Sequence, residues 1–410
     1  MKKTISLLAT SVLSISLLAG CGGDNAEGQN GKVKIEFFHY KREGMDTFDK
    51  LIEKFEGENP NIDVEQTSPP EATTVLRTRV SKSDIPDVMG IGGDITYKDL
   101  AETGVFTDVS NDTNLKSIQS AYVQMLKDVS NQDKTYAIPY VANAVGVIYN
   151  KAIFKDLGLE IPKTWDGFMD VAQKVKDAGQ VPFYNTYKDS WTLLSAFNVL
   201  AANTQGEDFY TQLNDGKILA GERYEDAAEK MVALSDYGHN NQQGVGYNDG
   251  NTAFANGKSA MYLQGIWAIP EIKKANPDID LGVFPLPVTN NPEETKVVSG
   301  VDLLLATAAS SKHPEEAQKF VDFLLREENA KQYIDEQNAF SALEGITQDD
   351  PSVAELKESF EKGALADFPD HYIPNGVVPD KTLQTLVMDK DVDAFLEKIQ
   401  KDWEKVQSRQ

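Results

Sequence analysis

The chain has 410 residues, with 40 basic against 64 acidic side chains and a formal net charge of −24. A surface this acidic repels nucleic acid and anionic membrane faces and favours a neutral or cationic partner. The single cysteine excludes an intrachain disulfide, and the length exceeds what one hydrophobic core usually organises, so two folded units are expected.

In chain order, Met1-Lys2-Lys3 precedes an apolar run from Ile5 to Leu18, and Leu18-Ala19-Gly20-Cys21 follows. A basic start, a short apolar stretch and small residues before a cleavage point have the form of a secretory signal peptide. Leu-Ala-Gly-Cys resembles the bacterial lipobox, in which the cut falls before the cysteine and the thiol carries diacylglycerol. The resemblance implies a leader over 1–20 and lipidation at Cys21. A secreted chain rarely keeps one unpaired thiol without a use for it. No later apolar run is long enough to span a bilayer, so lipid is the expected anchor. Residues 22–31, GGDNAEGQNG, hold no large apolar side chain. They predict a flexible tether over 21–32 with a reach of about 33 Å.

Val33, Ile35 and Phe37 alternate as in a strand that ends near Phe38-His39-Tyr40. Phe48, Leu51, Ile52 and Phe55 then recur as on one helix face, and Glu58-Asn59-Pro60 stops that helix. Ile62 and Val64 open a second strand. Ile85 to Ile91 reads as a third, followed by Gly92-Gly93-Asp94 and a helix. This alternation of strand and helix predicts an α/β layered lobe. A similar order returns later. Val145 to Tyr149 is a strand, and Thr164 caps a helix carrying Trp165, Phe168, Val171, Ala172 and Val175, with Gly179 beyond its end. Ser259 to Leu263, Leu281 to Phe284 and Val301 to Ala306 are further strands. Pro314 suits the first turn of a helix carrying Ala317, Phe320, Val321 and Leu324. Val392, Phe395, Leu396, Ile399, Trp403 and Val406 mark one face of the last helix.

Catalytic and metal signatures are missing. None of the four histidines, His39, His239, His313 and His371, sits in a zinc-ligand spacing. Gly257-Lys258-Ser259 has the end of a phosphate-binding loop but Thr252 in place of its first glycine. Gly90 and Gly92 lack the third glycine of a dinucleotide fingerprint, since Ile95 stands there. No GxSxG elbow occurs. No metal, cofactor or catalytic residue is therefore assigned.

Several segments together resemble the family 1 extracellular solute-binding proteins of carbohydrate ABC importers. They are Gly146 to Phe154, Gly158-Leu159 with Ile161 to Phe168, Phe254 to Met261 with Gly265-Ile266-Trp267, Gly300-Val301-Asp302, and Ser311 to Ala317. The resemblance runs from about Val33 to the C-terminus. It implies a two-lobe α/β fold of the type II periplasmic-binding-protein kind, with a hinge of crossing strands. By analogy one lobe covers 33–142 plus 300–339 and the other 143–299 plus 340–410. It also implies a monomeric receptor that binds an oligosaccharide between the lobes and delivers it to permease subunits driven by a cytoplasmic ATPase.

A sugar ring offers an apolar face to an aromatic plane and a rim of hydroxyls to charged or amide groups. Ligands of open α/β sheets lie at strand ends and in loops. On these grounds the expected ligand residues are His39 and Tyr40 at the first strand's end, Asp94 after its two glycines, Asn143, Tyr187, Trp191, Gln264, Asp302 and Phe340. Trp267 joins them because it matches the family position that stacks on sugar. Trp165 and Trp403, on apolar helix faces, read as core. The rival functions are a receptor for another polar solute, such as a polyol or glycerophosphodiester, and a secreted glycoside hydrolase.

Overall fold

The protein is described by a computed structural model covering residues 31–409 apart from 207 and 215. The expected leader, Cys21 and the tether up to residue 30 lie outside the described residues. Among the described residues no helix is long and apolar enough to cross a membrane.

The chain opens with β1 (Val33–His39), α1 (Met45–Glu58), β2 (Ile62–Thr67), α2 (Ala72–Ser81), β3 (Val88–Ile91) and α3 (Ile95–Glu102). Strands β2 and β3 flank β1, both parallel to it, as strand–helix–strand crossovers require. The apolar stripe of α1 is buried through Phe48, Leu51, Ile52 and Phe55, as its period predicts. Asp94 caps α3: its Oδ1 accepts the Thr96 N–H at 2.7 Å. Next come α4 (Ser120–Ser130), β4 (Ile138–Asn150), α5 (Lys151–Asp156), α6 (Trp165–Asp177) and α7 (Thr192–Thr204). Thr164 caps α6 through its Oγ1, 3.2 Å from the Gly167 nitrogen, and Gly179 beyond its end has a φ of +76°.

Four strands complete the central sheet and its margins: β5 (Met261–Gly265), β6 (Leu281–Phe284), β7 (Val297–Thr307) and β8 (Phe340–Ser341); β9 (Leu365–Ala366) pairs with β7. The strand order is β2-β1-β3-β7-β4-β5, with β6 and β8 also paired to β4. β4 and β7 are the long members, at 13 and 11 residues, and run antiparallel from Ile138 opposite Leu305 to Val145 opposite Val298. Both exceed the strands read from sequence. Pro139 and Asn143 interrupt the apolar run of β4, but Pro139 sits beside a register shift, where a missing N–H is tolerated.

Three clusters of buried side chains form around this sheet. The first gathers residues from Ile35 to Ala142 and from Val301 to Ile346. The other two lie on opposite faces of the remaining strands. Val145, Val147 and Tyr149 of β4 face one of them, with Phe168, Phe183 and Trp403, while Ala144 and Ile148 face the other, with Phe254, Ile269 and Val353. The parity is that of a strand covered on both sides. Thus β4 leaves the first core after Ala142 and enters the second region at Ala144, and β7 makes the reverse passage between Val298 and Val301. These two strands are two of the chain's passages between two lobes.

Candidate interlobe binding site

Where the bridge strands change lobe, Asn143 stands directly opposite Gly300. Cross-strand partners share a face of the sheet. On Gly300 that face is filled from outside: a Cβ built there would lie 2.3 Å from Asp367 Oδ1, 2.9 Å from Phe368 and 3.2 Å from the His371 ring. Only glycine lets the 367–371 segment lie on the hinge.

Asp302, two residues on, gathers the first lobe's strand-end residues. Its Oδ2 is 2.6 Å from Lys41 Nζ, and its Oδ1 accepts the Tyr40 hydroxyl at 2.8 Å. The same hydroxyl also donates to the Asp302 carbonyl. Lys41 is 6 % exposed and also meets Glu43 at 3.3 Å. Burial alone would lower its pKa, yet Asp302 and Glu43 outweigh that and hold it above the ordinary value. Burial, with Asp302 beside it, pushes the Tyr40 hydroxyl far up, so it stays a donor. Lys41, Glu43, Asp302, Asn143 and Gln337 line one interlobe pocket with Trp267 from the second lobe. The Oδ1 of Asn143 is buried there without a hydrogen-bond partner.

Trp267 precedes the helix Ala268–Ala275 and is folded back over β5. A Cβ on Gly265 would stand 2.0 Å from its Cζ3, so a glycine two residues earlier makes room for the indole. The second wall is acidic with one cation. His371 Nδ1 lies 3.2 Å from Asp367 Oδ1, and its ring stacks on Phe368 at 4.9 Å. Its burial opposes protonation, but Asp367, Asp370 and Asp94 raise its pKa to about 9. Asp370, which accepts from Asn198 Nδ2 at 2.9 Å, is shifted upward by its own burial. The charge of Asp94, from the first lobe, thus bears on groups of the second.

The structure therefore brings Tyr40, Asp94, Asn143, Trp267 and Asp302 together at the hinge. It places the other expected ligand residues elsewhere. His39 is fully buried in the first core, its ring 4.9 Å from Phe37 and 4.8 Å from Phe48, with Nε2 2.7 Å from Gln66. It shares the inward parity of Phe37, and burial drops its pKa to about 4. Tyr187 lies in the second core, its carbonyl held by Gln384 Nε2 at 2.5 Å. Gln264 is fully buried behind the floor and accepts from Ser195 Oγ. Phe340 stacks on Phe360 at 4.1 Å, between the first core and the third cluster. Trp191 is 42 % exposed and leans on Tyr247 at 4.9 Å, and it is not among the residues lining the hinge pocket. Sequence reasoning missed Lys41, Glu43, Asp367 and His371. Lys41 directly follows the strand end and carried the same positional signal as Tyr40. His371 carried none, because only the hinge packing brings its loop to Gly300.

A model of the bacterial extracellular solute-binding protein family matches residues 40–331. The multiple sugar-binding protein of Streptococcus mutans is 35 % identical over 358 residues, covering 85 % of this chain and 84 % of that one. The melibiose/raffinose/stachyose-binding protein MelE of Bacillus subtilis is 26 % identical, covering 92 % and 89 %. Among solved structures, the solute-binding protein RafE in complex with raffinose superposes with a TM-score of 0.81 at 30 % identity, covering 91 % of this chain and 99 % of that one. The two lobes joined by crossing strands are accordingly a type II periplasmic-binding-protein fold, and these relatives are binding proteins rather than enzymes. With its hinge site and this match over most of its length, the chain belongs to the family of bacterial extracellular solute-binding proteins.

Proposed function

We propose that the protein is a lipid-anchored receptor on the outer face of the cell membrane, binding an oligosaccharide between its lobes and handing it to the permease of an ABC importer. The observation that carries this reading is one interlobe pocket that joins the Trp267 indole to Lys41, Asp302 and Asn143. An indole suits the C–H face of a pyranose, and the buried ionic and amide groups suit its hydroxyl rim. The unpartnered Asn143 oxygen is an acceptor that a hydroxyl satisfies. The names of the relatives support the same ligand class, and raffinose, stachyose and melibiose head the panel to be tried. A glycerophosphodiester is disfavoured, because Glu43 and Asp302 offset Lys41 while Asp94, Asp367 and Asp370 surround His371.

The lobes follow the sequence division, 33–142 plus 300–339 and 143–299 plus 340–410, except that the last boundary falls later. The first core's reach to Ile346 and the third cluster's start at Val353 support a final changeover between those residues. Each chain holds both walls of its cleft, so the receptor works as a monomer. Closure on the sugar is a shift in an open–closed equilibrium driven by tighter binding to the closed form. The test is a thermal-shift and calorimetric screen with raffinose, stachyose, melibiose and glucose, read beside small-angle scattering. A ligand at one hundred times its dissociation constant adds about 2.7 kcal/mol of stability, and the bound protein is expected to be more compact. Stabilisation by none of the oligosaccharides ends the sugar reading.

A further inference from the structure

Away from the hinge floor, the lobes meet a second time. Asp99 lies on α3, whose Tyr97, Leu100 and Ala101 are buried in the first core. Asn375 lies between Ile373 and Val377, both buried in the second. Asn375 Nδ2 donates to Asp99 Oδ2 at 2.5 Å, although 276 residues separate the two. The same oxygen is 2.7 Å from Arg77 Nη1 of α2, which holds the carboxylate in place. Asn375 belongs to the loop that begins with Asp367, Phe368 and His371 on hinge residue Gly300. One short segment therefore seats on the bridge strand at its start and reaches the opposite lobe at its end. The two halves of the contact are fixed to different cores, so it ties one lobe directly to the other.

We infer that Asp99 and Asn375, with Arg77 orienting the carboxylate, form a latch that holds the lobes closed and slows ligand release without lining the hinge pocket. The inference rests on the two-lobe receptor reading above. Both residues are positioning residues: they act through the population of the closed form. A ligand whose competent state is less populated binds more weakly in the same proportion. One charge-assisted hydrogen bond between the lobes corresponds to about three- to thirtyfold in that population.

The experiment is stopped-flow release of raffinose, followed by tryptophan fluorescence, from wild type, N375A, D99A and the double variant, with small-angle scattering of each with and without the sugar. N375A and D99A are expected to release raffinose about three- to thirtyfold faster and to scatter as larger particles, with unliganded melting temperatures unchanged. The double variant should release no faster than D99A alone, since each single change already breaks the one contact. Wild-type release and wild-type radius of gyration in N375A overturn the latch, and so do effects that simply add in the double variant. If wild type takes no raffinose, the ligand assignment fails by itself. The radii of unliganded wild type and N375A then decide on the latch, and equal radii overturn it.

Discussion

Trp267 precedes a helix and Trp403 lies within the last one, and their surroundings assign them opposite roles. Trp267 is partly exposed and lines the interlobe pocket, whereas Trp403 is 2 % exposed in the second core. Trp267→Ala is expected to weaken oligosaccharide binding by about 1–3 kcal/mol, or five- to 150-fold, with little change in the unliganded melting temperature. Trp403→Ala should instead cost about 3–5 kcal/mol of stability and leave affinity near wild type in the protein that folds. Titration calorimetry and thermal melts of both variants check the pair, and sugar binding at wild-type strength by Trp267→Ala would remove the indole from the site. His371 supplies a second residue-scale expectation. Its folded-state pKa is raised from 6.5 to about 9 by Asp367, Asp370 and Asp94, against its own burial. A raised pKa gives stability that is complete below the unfolded value and is lost as pH climbs through the folded one. The melting-temperature advantage of wild type over His371→Gln should therefore be full below pH 6.5 and shrink from there through pH 9. An advantage that stays constant over that range would show the histidine to be neutral.

At the scale of elements, identical substitutions at two glycines should have opposite signs. In β4 a Cβ on Gly146 would meet Val283 Cγ1 at 2.7 Å and the Phe284 carbonyl oxygen at 2.8 Å. The backbone of β6 has no freedom to retreat, so Gly146→Ala should destabilise by about 1–3 kcal/mol. Gly57, inside the last turn of α1, has no atom within 4 Å of such a Cβ. Gly57→Ala should stabilise by about 0.4–1 kcal/mol, chiefly by restricting the unfolded chain. Urea melts of the two variants test this, and equal effects would mean that β4 and β6 part far enough to admit the added methyl group. The helices were the easier elements to read. The stripe of α1 and the Thr164 cap of α6 are local signals, and both elements form where they were expected. The bridge strands were read short, because half of each packs in one lobe and half in the other, and the changeover residues Asn143 and Ser299-Gly300 are not apolar.

For the whole molecule, the prediction concerns where it resides. If Cys21 carries diacylglycerol, Cys21→Ser should release the protein to the medium or leave it as uncut precursor, while the folded body binds sugar as before. Mass spectrometry of the membrane fraction should find the lipid on Cys21 of the wild type. A full-length chain with an unmodified thiol would end the anchoring proposal.

The sequence by itself determined the layered α/β character, the strand–helix alternation that opens the chain, and the family, because periodicity, caps and short motifs are written in neighbouring residues. It also marked Tyr40, Asp94, Asn143, Trp267 and Asp302, which sit at strand ends or lobe changeovers where side chains leave the core. Only the tertiary structure decided which candidates share one space. His39 and Tyr187 carry side chains as suitable as Tyr40, but strand parity and a tied turn turn them into the cores. Lys41 gains its place from Asp302, 261 positions further along the chain. His371 gains its own from the missing side chain of Gly300. Those pairings depend on how two long strands cross between lobes, and no local pattern in a chain encodes the partner that a residue meets across such a crossing.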